Sequence, residues 1–273
     1  MIRCCIIGHD SYLFAGMMPY LKNTALNLMT YKNWKNNLDI LLNSDVVVNF
    51  SIQPEFSSKE LRENDIIDVK IAKKLRNSKA RYIFISSRKV YGTSRKLKVY
   101  KETDKLNGFD FYSVNKIKTE KKLSEILKDR LCVFRISNVI GEPVLRKDYK
   151  TFVGWVTKNF IETGKVEADQ SEETKKDFIS KDFLHNVLSF AVKNEISGIY
   201  NVSAGFPVTI KEIVTGMVGK NNAVFGKNLK IKEQFVLDNS KIVSKTKILF
   251  RKNDIIKCLK RFRDSLTKMK KGK

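Results

Sequence analysis

DVVVNFS (residues 45–51) and RYIFISS (81–87) are runs of β-branched and aromatic residues without the polar alternation of a half-exposed strand. Between them SSKELRENDIIDVKIAKKLRN (57–77) has helical spacing. Apolar strands joined through helices are covered on both faces, which is the condition of a parallel sheet. Working outward, IRCCIIG (2–8) is another such run, ended by glycine, with a helical stretch expected around 12–22. ALNLMTY (25–31) is a shorter apolar piece, and RLCVFRIS (130–137) follows a helix expected over about 110–128. The order predicts a doubly wound α/β domain. Ligands of such sheets bind beyond the carboxyl ends of the strands. Those ends read Gly8, Asn49-Phe50-Ser51, Ser86-Ser87 and Arg135-Ile136-Ser137-Asn138, so small and hydrogen-bonding groups gather on one rim.

The texture changes after residue 142. TFVGWVTKNFIETGK (151–165) reads as helix, VEADQSEETKK (166–176) as a polar connection, and DFISKDFLHNVLSFAVKN (177–194) as an amphipathic helix. SGIYNVSAG (197–205) supplies one more strand, and a basic loop, GKNNAVFGKNLKIK (219–232), follows. The expected division is a dinucleotide-binding-type domain over 1–142 and a smaller α+β lid over 143–273, built partly from segments that return to the sheet. In the last segment Ile255, Ile256, Leu259, Phe262, Leu266 and Met269 recur at helical spacing opposite basic residues. A helix packed on the lid accounts for this more plainly than one lying on a membrane.

A chain of 273 residues with 42% hydrophobic residues has an ordinary globular composition. The formal charge of +24 makes the surface positive and suits phosphorylated ligands or polyanions. No aromatic-rich basic ribbon or zinc-finger spacing accompanies that charge, which argues against nucleic acid as the partner. Cys4, Cys5, Cys132 and Cys258 lack CxxC spacing and read as buried free thiols of a reducing compartment. With His9 and His185 the only histidines, no metal site is expected. The apolar run after Arg3 is too short for a signal peptide and no segment reaches a membrane span, so the expected location is cytoplasmic.

Chemistry concentrates in YSVNK (112–116). Tyr112 and Lys116 stand four apart on one helix face, and Ser87 ends the strand before that helix. A hydroxyl to hold a carbonyl oxygen, a phenol to protonate it and an ammonium to draw the phenol toward the working pH are what a ketone needs to accept hydride.

YIFISSRKVYG, YSVNK, FRISNVIGEP, KKDFISKDF and GIYNVSAGFPVTIKEI occur in the order found in extended short-chain dehydrogenases/reductases, the nucleotide-sugar epimerase, dehydratase and reductase family, which the chain resembles over most of its length. The resemblance implies a Rossmann-like sheet with a substrate lid. It makes Ser87 the substrate-orienting hydroxyl, Tyr112 the catalytic acid/base and Lys116 the residue that lowers the phenol's pKa and holds the nicotinamide ribose. It assigns Gly8, Ser11, Tyr12, Leu13, Lys32, Phe50, Ser51, Arg135 and Ile136 to the cofactor, and Asn138 and Lys176 to the substrate. Members often form homodimers through the helix bearing the Tyr/Lys pair.

Two departures from the family pattern bear on function. The expected G-x-x-G-x-x-G loop reads Gly8-x-x-Ser11-x-x-Phe14, and Pro19 falls inside the expected first helix, where it removes a backbone bond. After the second strand, LMTYKNWK (28–35) offers Lys32 and Lys35 and no acid, which favours NADP over NAD. Arg88 and Lys89 stand where sugar-nucleotide dehydratases carry an acid pair, so dehydration is disfavoured. The expected reaction is reduction of a keto group on a nucleotide-diphosphate sugar, similar to that of dTDP-4-dehydrorhamnose reductases. The alternatives are C4 epimerisation or a non-catalytic member that binds nucleic acid.

Overall fold

The computed structural model describes residues 1–144 and 151–272. Six parallel strands form the central sheet: β1 (Ile2–Ile7), β2 (Thr24–Met29), β3 (Val46–Asn49), β4 (Arg81–Ser87), β5 (Leu131–Ile136) and β6 (Gly198–Val202). Their order is β6-β5-β4-β3-β1-β2, so the winding reverses between β1 and β3. This is the Rossmann-like α/β arrangement the sequence predicts. Successive residues of β1 serve opposite faces, as the alternation of side chains along a strand requires. Cys5 and Ile7 pack with Tyr82, Phe84 and Val133 under α1 (Ile67–Lys74) and α2 (Phe111–Leu127). Cys4 and Ile6 pack with Val48, Ile85 and Phe134 on the other side, against α4 (Lys181–Lys193).

No α-helix forms over 12–22. The chain turns through residues 9–17 and makes only a short 3-10 helix, Met18–Leu21. Pro19 lacks the N–H a longer helix would use, and Ser11 Oγ accepts instead from the Phe14 N–H at 3.2 Å. Phe14, Met17 and Leu21 sink into the core. From α4, His185 Nε2 donates to the Leu13 carbonyl at 2.8 Å and Ser189 Oγ to the Tyr20 carbonyl at 2.6 Å.

The apolar cluster beneath α4 runs on without a break into α3 (Phe152–Thr163), α5 (Ile210–Val218) and α6 (Lys252–Lys271). Ile255, Leu259, Phe262 and Leu266 of α6 are buried there, while Ile256 is left 62% exposed. Gly216 lets the two helices close: a Cβ there would stand 2.7 Å from Leu259 Cδ1. Part of 166–176, read as a connection, forms two short strands, Val166–Ala168 beside Ala223–Phe225 and Lys175–Lys176 beside Val208–Thr209. All four cysteines are free and buried. Among the described residues no helix is long and apolar enough to cross a membrane, and no cluster of metal-ligating side chains occurs.

Candidate active site

The start of α2 sets the site. Asp110 Oδ1 accepts from the Ser113 N–H at 2.8 Å, and Ser113 Oγ accepts from the Asp110 N–H at 3.1 Å. This reciprocal cap fixes the first turn of the helix. Tyr112 thereby lies beside the end of β4 and Lys116 one turn further in. Asn115, on the adjoining face, accepts from the Leu61 N–H and donates to the Phe56 and Lys59 carbonyls, each at 2.9 Å. Those bonds lay the Phe56 ring edge-on to Tyr112, with centroids 5.8 Å apart.

The Ser87 side chain lies near enough to the half-buried Tyr112 phenol to pull its pKa down. Lys116 is 4% exposed; its Nζ donates to the Ile85 carbonyl at 2.7 Å and sits 4.5 Å from the Phe84 ring centre. Burial lowers the Lys116 pKa to about 8, opposed by the charges of Asp68 and Glu120 behind it. The phenol departs from the sequence expectation. Burial pushes Tyr112 up to about 12, and the Asp110 charge adds to that, while Ser87 and Arg88 pull it down. The Lys116 ammonium lies 5.6 Å from the phenol's ring centre and is engaged with backbone, so burial outweighs its charge.

At the turn after β1, Gly8 has φ of 77°, and a Cβ would stand 2.6 Å from the Ser51 nitrogen. Only glycine permits that backbone and that approach. Ser51 is held by Asn49, whose Oδ1 accepts from its N–H at 2.9 Å and its hydroxyl at 2.5 Å. Asn49 Nδ2 donates to the buried Asp68 at 2.9 Å, which also accepts from Tyr82 at 2.7 Å. Phe50 packs edge-on to Phe14, 5.5 Å between centroids. The Tyr12 oxygen accepts from the Gly141 N–H at 2.8 Å. Beyond the ends of β2 and β3, Lys32 borders a cavity of about 570 Å³ with Tyr31, Trp34, Lys35, Gln53 and Arg62.

Arg135 and Ile136 lie buried in β5. The Arg135 guanidinium bonds Glu120 (2.7 Å from Nη2 to Oε2), the Tyr91 oxygen and the Glu102 carbonyl, so none of its donors faces an open groove. Asn138 Nδ2 donates to the Asp177 carbonyl at 3.2 Å. Lys176 pairs with Glu233, which also takes both Nη atoms of Arg88. The sequence reading missed Glu120, Asp68 and Glu233 as functional neighbours, and took Arg88 only as a residue in place of a dehydratase acid. Glu120 was findable, four residues beyond Lys116 on the same helix face; the meeting of Arg88 with Glu233 leaves no local trace.

Residues 8–203 match the sequence pattern of the NAD dependent epimerase/dehydratase family. The chain belongs to this family. No curated protein matches it. Similar solved structures of this family's fold include a UDP-N-acetylglucosamine 4-epimerase from Methanobrevibacter ruminantium M1 in complex with UDP-N-acetylmuramic acid (TM-score 0.80, 16% identity, 98% of this chain and 99% of that one). Another is dTDP-4-dehydrorhamnose reductase from Yersinia enterocolitica (0.73, 16%, 97% and 100%). A third is RMD from Pseudomonas aeruginosa complexed with NADPH (0.76, 17%, 98% and 100%).

Proposed function

We propose that this family member reduces a keto group on a nucleotide-activated sugar, using NADPH in preference to NADH. The observation that carries the reading is the approach of Ser87, at the carboxyl end of its strand, to the Tyr112 phenol, with the Lys116 ammonium one helical turn away. The described residues fit a nicotinamide dinucleotide at both of its ends. Tyr112 and Lys116 adjoin the rim where the nicotinamide ribose would lie, and Tyr31, Lys32, Trp34 and Lys35 bring aromatic and cationic groups to the cavity where an adenosine 2′-phosphate would lie. At the middle the fit rests on Gly8 and Ser11, since residues 9–17 form turns in place of a helix N-terminus.

A bound nicotinamide supplies hydride to the carbonyl carbon. Ser87 donates to the carbonyl oxygen as negative charge develops there. Tyr112 gives that oxygen its proton; a phenol held near pKa 12 is fully protonated at neutral pH and so stands ready as the acid. Lys116 replaces the lost phenol proton's charge by its own field, and Phe56 covers the pair from the side. Support for a reductase over a dehydratase comes from Arg88 and Lys89, which fill the two positions after Ser87 where dehydratases of the family carry an acid pair. The 4-epimerase among the similar structures supports a second reading, in which the same three residues act in both directions on one carbon.

The test is oxidation of NADPH in the presence of a panel of 4-keto-6-deoxy sugar nucleotides. Tyr112→Phe should lower kcat by roughly 10²–10⁴. Isomerisation without net coenzyme consumption would favour the epimerase, and unchanged turnover in Tyr112→Phe would refute both.

A further inference from the structure

Next to the Ser87–Tyr112 pair lies a second cluster whose charges the proposed reaction does not use. Arg88 follows Ser87 directly, is 8% exposed, and lays its guanidinium over the Phe235 ring at 4.3 Å. Its Nη1 and Nη2 donate to Glu233 Oε2 and Oε1 at 2.8 and 2.6 Å. Lys176 Nζ donates to the same Oε1 at 3.2 Å. Two cations from separate parts of the chain thus converge on one carboxylate, in the forked geometry with which arginine also binds phosphate. Arg88 is near enough to Tyr112 for its charge to favour the phenolate, which places the cluster beside the reacting centre.

Glu233 differs from its two partners in how it is held. It lies in a stretch, residues 226–235, without helix or strand. Its neighbour Gln234 is fixed by three bonds, from its N–H to the Ser94 carbonyl, from its side chain to the Arg95 carbonyl, and from the Lys175 N–H. The backbone is therefore anchored while the Glu233 side chain, 17% exposed, has solvent to turn into. Rotation about its own bonds would free both cations without moving the chain.

Taking Lys176 as the substrate contact that the family resemblance implies, we propose that Arg88 joins it on the substrate's diphosphate and that Glu233 is a built-in counter-ion which the diphosphate displaces. This rests on the nucleotide-sugar reading and adds to it a competitor carried by the chain itself. A diphosphate brings more charge and more acceptor oxygens than one carboxylate, so it satisfies Arg88 and Lys176 together once Glu233 leaves. In the ligand's absence Glu233 keeps two buried cations paired, which would otherwise be costly. It also selects against singly charged anions, which offer no more than Glu233 already does.

The probe is inorganic pyrophosphate, titrated calorimetrically at physiological ionic strength into the full chain and into Glu233→Gln, Glu233→Ala and Arg88→Gln. Removing the competitor should tighten pyrophosphate binding about tenfold or more in both Glu233 variants, and Arg88→Gln should lose that binding. The thermal shift given by pyrophosphate should be larger in Glu233→Gln than in the wild type, which reads the effect even where the variant is less stable. Equal affinity in wild type and both Glu233 variants would overturn the proposal. Tightening confined to glucuronate, tested in parallel, would move the anion to the sugar ring and overturn the diphosphate assignment. NADPH-dependent turnover is measured apart: its absence alongside a Glu233 effect removes the reductase and leaves the anion site standing.

Discussion

The buried pair Glu120–Arg135 offers a decisive test of whether Arg135 serves the architecture or a ligand. The two side chains are 4% and 3% exposed. Arg135 reaches Glu120 through Nε at 3.2 and 3.1 Å and through Nη2 at 2.7 Å, and Ser86 Oγ donates to Glu120 at 2.5 Å. Replacing either partner with methionine strands an ion in the interior, which costs about 3–5 kcal/mol. Independent effects would sum to roughly 6–10 kcal/mol in the double variant. With both charges gone no ion is stranded. What remains is the loss of one acceptor for Ser86, one donor to the Tyr91 oxygen and one donor to the Glu102 carbonyl, each worth about 1 kcal/mol. The double variant Glu120→Met/Arg135→Met should therefore lie about 1–3 kcal/mol below the wild type, a coupling of several kcal/mol. Urea denaturation followed by far-ultraviolet circular dichroism measures it, provided the slope with denaturant stays constant. Additive losses would show that the two side chains do not act as a unit and would refute the structural role given to Arg135.

Gly8→Ala should destabilise the chain by about 3 kcal/mol or more, because a left-handed backbone and a 2.6 Å approach to the Ser51 nitrogen are both forbidden to alanine; thermal denaturation shows it, and NADPH affinity should fall with it. Lys116 gives a signed pH dependence. Its pKa falls from 10.5 to about 8 on folding, so between those values the unfolded chain holds a proton that the folded chain has lost, and stability rises with pH. The gain is about 3 kcal/mol across the interval, and Lys116→Met should remove it from the pH-dependent difference between the two proteins. Glu120→Gln takes away one of the two charges that hold the Lys116 ammonium. Any titration of activity near pH 8 should then move to lower pH, and an unmoved limb would assign it to another group.

The sheet was legible because its strands are buried on both faces, and so write themselves as unbroken apolar runs such as VVVN and YIFIS. The Tyr112/Lys116 helix was legible too, since its cap and spacing are local. Residues 12–22 were not: their apolar positions suit a helix, but Pro19 and the Ser11 hydroxyl settle the chain into turns that bury the same Phe14 and Met17. Two-residue strands fall below any periodic signal, as Lys175–Lys176 illustrates. Tyr112's acidity escaped because the sequence displays the neighbouring cation and conceals the burial that outweighs it. The contact of Arg88 with Glu233 spans 145 positions, and nothing in either neighbourhood announces the other.

The sulfur atoms of the chain carry a practical consequence. Burial raises the thiols of Cys5, Cys132 and Cys258 to about 12 and that of Cys4 further still, so none is ionised in neutral buffer. Maleimides and mild oxidants find no target until a molecule opens. Cys4, Cys5 and Cys132 lie in the strands and Cys258 on the last helix, so the first alkylated position tells whether the tail peels away alone or the whole fold gives way. The protein thus carries its own silent clock of breathing motions.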